Sequence, residues 1–252
     1  MAVLLRLPPL GCPLRSSMHC TRRMAENPHS NKPSSSVASF SATTNAAAPE
    51  TSNRKLPILL FDIMSTVVRD PFYDDVPAFF GMSMEELIES KNPTAWIDFE
   101  RGIINEAELG RKFFKDERPF DLEGLKDCMR KGYSFLEGVE ELLYGLRQKN
   151  YEMHAFTNYP NWYQIIEDKL KISRYLSWTF CSCTNGKRKP DTGFYLDAVE
   201  HLKVDPSNCI FIDDSAINVN AAIAVGMIGL QFKNANTLLK DLSLMGIHIS
   251  TD

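Results

Sequence analysis

The sequence predicts an α/β fold, with a parallel β-sheet between two helical layers and a small helical insertion after the first strand. From residue 56 onward, short apolar runs alternate with amphipathic helical segments, which is the pattern of a parallel sheet covered on both faces. About 75 residues separate the first strand from the next helix of that alternation, too many for a bare loop. The long segment carries helical periodicity of its own, which predicts the insertion.

The strands of the predicted sheet are compact runs rich in apolar residues, and they come in the order 56–62, 152–158, 178–183, 209–214 and 227–232. The helices between them show one apolar face, as Val139, Leu142, Leu143 and Leu146 do in the first. Pro190 marks the start of another helix. The predicted helices are 137–150, 162–170, 192–202 and 218–225.

The insertion is predicted over residues 71–136 and divides the core into residues 56–70 and 137–252. Its periodic stretches include MSMEELIES, TAWIDFERG and NEAELGRKFFKD. We expect this small helical unit to sit over the end of the first strand.

Residues 1–55 differ in composition from the rest of the chain. The first 50 residues hold eight serines and only two acids, Glu26 and Glu50, together with several arginines. A basic, serine-rich and acid-poor N-terminus is typical of a transit peptide, and its abundant hydroxyl residues favour the plastid stroma over the mitochondrion. The alternative is a disordered leader that carries no targeting signal, since this composition cannot bury a core.

The charge balance excludes a general nucleic-acid binder. The leader carries seven of the 28 Lys and Arg residues and two of the 32 Asp and Glu residues, so the remainder has a net charge near −9. No stretch approaches the roughly 18 apolar residues of a membrane span. We therefore expect a soluble protein whose partner is a small molecule.

The cysteines beyond the leader predict no metal or redox centre. Cys181 and Cys183 form a close pair, but no second pair or nearby histidine completes a zinc set. We interpret both as small apolar residues of a buried strand.

Polar residues follow the predicted strands at the points where ligands collect in an open parallel sheet. They are Asp62 after the first strand, Thr157 and Asn158 after the second, Lys189 after the third, and Asp213 and Asp214 after the fourth. Taken singly, such an acid is often a helix cap and such a lysine a solvated charge. Their recurrence at successive strand ends favours a shared site.

These residue types suit phosphoryl transfer to water. A carboxylate can act as the nucleophile, and further carboxylates with a carbonyl oxygen can hold Mg²⁺. The metal and a lysine neutralise the phosphoryl oxygens, while a threonine hydroxyl and backbone amides can hold the remaining oxygen.

With these residues identified, residues 56–248 resemble the haloacid dehalogenase-like (HAD) hydrolase superfamily. LLFDIMSTVV is similar to its first motif, MHAFTN to its second, GKRKPDTGFY to its third and CIFIDDSAINVNAA to its fourth. WIDFERGIINEAEL resembles the helical cap that one subgroup places between the first two motifs. The resemblance implies a Rossmann-like core with a cap.

The resemblance also implies roles for individual residues. Asp62 would be the nucleophile, while Thr157, Asn158 and Lys189 would bind the phosphoryl group. Mg²⁺ would be held by Asp62, the main-chain carbonyl of Met64 and Asp214. Asp213 and Asn218 complete the acidic motif as metal ligands or as their supports, and a helix cap is the alternative for Asn218.

The first motif departs from the family pattern at two positions. Met64 stands where phosphatases of the family have a second Asp, which protonates the leaving oxygen and then deprotonates water. A thioether can do neither, and such acid–base help is worth about 10²–10⁴ in rate. Ser65 replaces a glycine of the tight turn, where a positive φ favours glycine.

Three readings of the site remain open. The first is a slow or selective phosphatase that takes its proton from water or from an insertion residue, Asp98, Glu100 or Arg101. The second is an enzyme whose leaving group needs no proton, as in the dehalogenases, although adjacent acids beside Asp62 favour a bound cation. The third is a degenerate site that binds a ligand without turnover.

The leader together with residues 61–89 resembles a plant plastid branch of this superfamily that hydrolyses flavin mononucleotide (FMN) to riboflavin. FMN is therefore the expected substrate. Aromatic residues of the insertion can stack on a flavin ring, or they can form the insertion's own small core: Phe72, Tyr73, Phe79, Phe80 and Trp96.

Overall fold

The computed structural model describes residues 56–249 of the 252-residue chain. The transit peptide predicted over residues 1–55 therefore lies outside the described residues. Within the described part, none of the helices has the length and apolar character needed to cross a lipid bilayer.

The described chain forms a parallel five-stranded sheet in the order β3-β2-β1-β4-β5. Each strand overlaps a predicted apolar run, and β3 begins one residue before its run, so the predicted α/β class is confirmed. β1 is the central strand, which places the end of the first motif in the middle of the sheet. The strands are β1 Ile58–Phe61, β2 Met153–Thr157, β3 Ser177–Cys181, β4 Cys209–Asp213 and β5 Ile228–Gln231.

Short helices occupy the predicted insertion between β1 and the next core helix. Two of them begin at capping boxes, in which Ser83 pairs with Glu86 and Asn105 pairs with Glu108, and this explains why such short segments are helical. The helices are α1 Asp75–Phe80, α2 Met84–Ser90, α3 Ala95–Glu100, α4 Glu106–Lys112 and α5 Leu122–Gly132.

The helices that follow β1 and the insertion cover the sheet. They are α6 Val139–Gln148, α7 Tyr163–Leu170, α8 Ser182–Asn185, α9 Thr192–Leu202, α10 Ala216–Ala224 and α11 Ala235–Leu244.

Two apolar cores lie on opposite faces of the sheet, because alternate residues of a strand point to opposite sides. Leu59 and Phe61 of β1 belong to one core, together with the buried faces of α6, α7 and α11 and most of the insertion. Ile58 and Leu60 belong to the other, together with residues of α9 and α10. The result is a three-layer sandwich in which β1, β2 and β4 are buried on both sides, while the edge strands β3 and β5 are partly exposed.

The structure differs from the predicted elements in two places. The strand predicted over 178–183 ends at Cys181, because the buried Ser182 hydroxyl bonds to the Glu100 carbonyl (2.5 Å) and accepts from the Tyr159 amide (3.0 Å). These bonds turn the chain into α8, which holds Cys183. The C-terminal helix α11 adds an element that was not predicted, and Leu238 and Leu242 anchor it in the core.

Within residues 56–249 the cysteines carry no disulfide: Cys128, Cys181, Cys183 and Cys209 are all free thiols. Cys181 is buried at the end of β3, as expected for a small apolar residue.

Candidate active site

The carboxyl ends of three neighbouring strands bring the main candidate residues together. Asp62 directly follows β1, Thr157 is the last residue of β2 and Asp213 is the last residue of β4. β1 pairs with both β2 and β4. Asp62 therefore lies between the other two residues, as expected from the strand-end argument.

Lys189 joins two of these carboxylates. Its Nζ donates to Asp62 Oδ1 at 2.8 Å and to Asp213 Oδ2 at 2.6 Å, and its side chain is only 1% exposed. Burial alone would lower the Lys189 pKa, but the two carboxylates outweigh it and raise that pKa. Lys189 is thus a buried cation held by two acids.

The Asn158 side chain fixes the main chain at Lys189. Its Oδ1 accepts from the Lys189 amide at 2.7 Å, and its Nδ2 donates to the Lys189 carbonyl at 2.9 Å. This two-point contact links the end of β2 to the loop before α9. It sets the position from which the lysine side chain enters the site.

Three carboxylates form a potential cation site. Asp62, Asp213 and Asp214 each offer an oxygen, and these atoms all lie within 4.8 Å of one another. Burial raises the pKa of Asp62, and the charges of Asp213 and Asp214 raise it further. Burial and Asp213 likewise raise the Asp214 pKa. Three clustered carboxylates with the single charge of Lys189 beside them are electrostatically costly, which favours a bound divalent cation.

Asn218 supports Asp213 with its amide nitrogen. Nδ2 lies 3.1 and 3.0 Å from the two Asp213 oxygens, and the Ser215 amide donates to Asp213 Oδ1 at 2.8 Å. The N-cap of α10 is Ser215, so Asn218 is not the cap. Its nitrogen is directed at Asp213, an arrangement that suits a support of the acidic motif.

Thr66 is a site residue that the sequence reasoning did not single out. Its buried hydroxyl accepts from the Asp214 amide at 3.1 Å and makes a longer contact, 3.4 Å, to Asp62 Oδ2. It therefore ties the first motif to the fourth. The available signal was a hydroxyl residue four positions after Asp62 in DIMST.

The tight turn of the first motif persists although serine replaces glycine. Ser65 has a φ of 61° and its amide donates to the Val68 carbonyl at 2.7 Å. Met64 forms a bridge to Val68. The left-handed conformation costs a non-glycine residue about 1–2 kcal/mol, and the Ser65 amide bond holds the turn in place despite that cost.

Thr157 carries an unpaired polar atom. Among the described residues, its Oγ1 is the buried side-chain oxygen or nitrogen without a hydrogen-bond partner. Such an atom costs about 1–3 kcal/mol when left unpaired. Thr157 ends β2, and Asp62 follows the neighbouring strand β1. This position suits a hydroxyl that donates a hydrogen bond to an oxygen of a bound ligand.

A cavity of about 260 Å³ lies between the insertion and the core, and Met64 and Asn158 of the candidate site form part of its wall. Aromatic, charged and apolar side chains share its wall, and they come from both parts of the chain. Its lining residues are Met64, Asp70, Phe72, Tyr73, Ile88, Lys91, Trp96, Glu100, Met129, Asn158 and Tyr159.

The five aromatic residues singled out from the sequence divide into two groups. Phe72, Tyr73 and Trp96 line the cavity. Phe79 and Phe80 instead pack within the insertion, where the Phe80 ring contacts those of Phe113, Phe114 and Phe120 at centroid distances of 5.5, 5.1 and 5.6 Å. Phe79 and Phe80 thus form part of the insertion's own core, as one expectation had it, and stacking of Phe72, Tyr73 and Trp96 on a ring stays a prediction.

The insertion is fastened to the core beside Lys189. Arg188 Nη2 lies 2.9 Å from Glu100 Oε2, and the Trp96 indole donates to Glu100 Oε1 at 2.7 Å. Gly102 of the insertion approaches so closely that a Cβ there would lie 2.4 Å from the Cys183 carbonyl oxygen. These contacts fix the cavity wall relative to the carboxylates.

The insertion residues named as proton donors differ in their positions. Glu100 lines the cavity, but Arg188 and Trp96 occupy its carboxylate. Arg101 is exposed and donates to the Gly186 carbonyl. Asp98 and Arg101 are not among the residues that line the cavity.

Comparison with known proteins identifies the family of the chain. Residues 58–226 match the family model of the haloacid dehalogenase-like hydrolases. The chain is 66% identical over 197 residues to the chloroplastic flavin mononucleotide hydrolase 1 of Arabidopsis thaliana, across 78% of this chain and 80% of that protein. It is 26% identical to phosphoglycolate phosphatase 1 of Pseudomonas aeruginosa, across 73% and 71% of the two chains.

The fold is also that of solved members of the family. A HAD-family enzyme from Bacteroides thetaiotaomicron, solved with magnesium and inorganic phosphate, superposes with a TM-score of 0.58 at 19% identity, over 71% of this chain and 95% of that one. The family match covers more than half of the chain, and the resemblance seen in its motifs is confirmed. The chain belongs to the haloacid dehalogenase-like hydrolase family.

Proposed function

We propose that this protein is a magnesium-dependent phosphomonoester hydrolase that converts FMN to riboflavin and phosphate through an aspartyl-phosphate intermediate. The observation that carries the proposal is the convergence of Asp62, Lys189 and the Asp213–Asp214 pair beside the unpaired Thr157 hydroxyl. Nucleophile, cation ligands and phosphoryl-binding groups thereby meet at one place.

Asp62 is the nucleophile of the proposed reaction. The Lys189 ammonium holds Asp62 Oδ1 at 2.8 Å, which leaves the other oxygen to attack phosphorus. Thr157 Oγ1 and Lys189 hold phosphoryl oxygens, and Asn158 keeps Lys189 in place. In-line attack then transfers the phosphoryl group to the carboxylate.

The acidic group fits Mg²⁺. Asp62, Asp214 and the Met64 carbonyl are the proposed ligands, with Asp213 and its partner Asn218 as ligand or support. Oxygen donors of this kind suit a hard cation, and the pKa values of Asp62 and Asp214, raised by burial, indicate a need for positive charge. The ion would neutralise charge on the phosphoryl oxygens.

A metal-binding prediction follows from the half-buried Asp214. Mg²⁺ is expected to raise the melting temperature of the wild-type protein, since a ligand that binds only the folded state stabilises it. Asp214→Asn should abolish most of that rise. Differential scanning calorimetry measures it, with Asp168→Asn, an exposed residue on α7, as the charge-matched control. An equal Mg²⁺ response in both variants contradicts the assignment.

The aromatic wall of the cavity supports FMN as the substrate. Phe72, Tyr73 and Trp96 offer faces for a planar ring, and Lys91 adds a cation 5.7 Å from the Phe72 ring centroid. The Arabidopsis relative is named a flavin mononucleotide hydrolase. We assign residues 71–136 as the cap that supplies this wall, and residues 56–70 and 137–252 as the catalytic core.

The ring contact is tested by a matched pair of variants. Phe72→Leu should raise KM for FMN by about 2–12-fold, since an aromatic contact is worth roughly 0.5–1.5 kcal/mol. It should leave KM for glycerol phosphate, which has no ring, unchanged. Phe79→Leu, in the insertion but outside the cavity lining, should change neither KM. Equal shifts for both variants would exclude Phe72 as a ring contact.

A phosphate-release screen tests the function itself. Full-length protein with Mg²⁺ is incubated with FMN, sugar phosphates, nucleotides and p-nitrophenyl phosphate. The proposal expects the highest kcat/KM for FMN. A preference for another phosphomonoester would reassign the substrate, while binding without turnover of any compound would favour the degenerate site. The plastid location, supported by the chloroplastic relative, is tested by fusing residues 1–55 to a fluorescent protein.

A further inference from the structure

The proposed reaction lacks a proton donor at the expected place. When the ester bond to phosphorus breaks, an alkoxide such as that of riboflavin is a poor leaving group unless it receives a proton. Met64, two residues after Asp62, carries a thioether that cannot supply one. Without an acid at this position, the proton comes either from water or from a group elsewhere in the cavity wall.

Asp70 is an acidic residue of the cavity wall, and Met64 belongs to the same wall. The chain reverses after Asp62: the Val68 amide donates to the Ile63 carbonyl at 2.8 Å, and Val68 bridges to Met64. This reversal carries Asp70 back to the cavity, where both side chains form part of the lining. The Phe72 amide donates to Asp70 Oδ1 at 2.9 Å and orients the carboxyl group.

The surroundings of Asp70 raise the pKa of its carboxyl group. Burial is the main cause, and the charge of Asp214 adds to it, so that the pKa of Asp70 rises to about 6 although the Phe72 amide and Arg69 act in the opposite direction. Arg69 does not neutralise it directly, because its guanidinium bonds to Asp74, Asp75 and the Gly132 carbonyl.

Other titratable groups also face Asp70. The hydroxyls of Tyr73, Tyr133 and Tyr159 have pKa values raised by their own burial, and the charge of Asp70 contributes to each. Tyr133 and Tyr159 bond to each other at 2.6 Å. These phenols stay protonated near neutral pH, so Asp70 is the carboxyl group among them that can exchange a proton.

The other charged groups of the wall are less suited to this role. Glu100 is held by Arg188 and Trp96. Lys91 is a cation whose pKa is lowered by burial, and it cannot act as the base that the second half of the reaction needs while it keeps its proton.

We propose that Asp70 is the general acid–base catalyst of the hydrolysis and carries out the proton transfers that the Met64 thioether cannot. The inference rests on the proposed phosphatase function. In the first step an Asp62 oxygen bonds to phosphorus, the ester P–O bond breaks, and the leaving oxygen takes the electron pair and the Asp70 proton. In the second step water attacks phosphorus, its proton passes to Asp70, and the bond from phosphorus to Asp62 breaks to release phosphate.

The test compares two leaving groups in Asp70→Asn, which keeps the Oδ1 acceptor for the Phe72 amide. The kcat for FMN should fall about 10²–10⁴-fold, the usual worth of general acid–base help. The kcat for p-nitrophenyl phosphate, whose leaving group needs little protonation, should fall far less. In the wild type, kcat/KM for FMN should decline as pH rises through the Asp70 pKa, and the variant should lack this decline.

A second variant guards against a purely structural effect. Met64→Asp in the Asp70→Asn background should restore FMN turnover, because it returns an acid to the position beside the nucleophile. Asp74→Asn, an exposed neighbour, should leave both substrates unaffected. Equal losses on FMN and p-nitrophenyl phosphate in Asp70→Asn, or undiminished FMN turnover, overturn the proposal. Failure of the phosphatase function itself is distinct, since wild-type protein would then hydrolyse neither substrate.

Discussion

Phosphate release from FMN is expected to fall by about 10⁴–10⁶-fold in Asp62→Asn, within the range seen when a catalytic nucleophile is removed. An amide does not attack phosphorus under these conditions. Its oxygen can still accept from Lys189, as Asp62 Oδ1 does at 2.8 Å, so the geometry of the site is retained. Because burial raises the Asp62 pKa, losing the charge should not destabilise the fold.

The measurement is steady-state phosphate release, with circular dichroism as the check on folding. Asp168→Asn is the control, since it removes one exposed carboxylate and should keep the wild-type rate. An Asp62→Asn protein that retains most of its activity would place the nucleophile elsewhere. A loss of folded structure in Asp62→Asn would contradict the view that this charge is costly to bury.

Lys189→Met should damage both stability and activity. Nζ compensates Asp62 and Asp213 inside the protein, and removing one partner of a buried ion pair typically costs about 3–5 kcal/mol of unfolding free energy. Here two carboxylates lose their cation together, with Asp214 nearby. Mg²⁺ should restore part of the lost stability, because a divalent cation can compensate the same acids.

Urea unfolding with and without Mg²⁺ measures this effect. Lys187→Met is the matched control: Lys187 pairs with Asp197 at 2.7 Å but its side chain is 42% exposed, and such surface pairs contribute about 0–1 kcal/mol. If the two variants unfold at the same urea concentration, Lys189 does not hold the acidic site together.

Strand-end reasoning predicted the core of the site because it needs only local signals. Each of the runs ending at Asp62, Thr157 and Asp213 is apolar and short, and parallel strands align their carboxyl ends at one edge. The central place of β1 then makes convergence unavoidable. Charge added a second signal, since adjacent acids beside Asp62 are costly without a cation.

The parts that were not predicted depend on contacts between distant positions. The Asn158 clamp on Lys189 spans 31 residues and the Thr66 contact to Asp214 spans 148, and no local pattern indicates either. Asp70 was not singled out either. Its partial burial depends on the chain reversal after Asp62 and on the insertion, which bring it into the cavity wall.

The division of the aromatic residues between the cavity wall and the core of the insertion also depends on contacts that no local pattern indicates. Phe72 and Phe79 lie seven positions apart, yet one lines the cavity and the other packs in the insertion. The aromatic residues of the insertion predicted two uses, a contact with a bound ring and packing in the insertion's own core. Which ring serves which purpose depends on how α1 packs against its neighbours.

The most direct test of the account is to trap the phosphorylated enzyme. Full-length protein with Mg²⁺ is mixed with FMN labelled at phosphorus, quenched in acid within milliseconds and digested for peptide mapping. The account predicts label on the peptide that contains residue 62, removable by hydroxylamine as an acyl phosphate is, and absent from Asp62→Asn. Rapid phosphate release with no labelled peptide, or with label on a different residue, would contradict it.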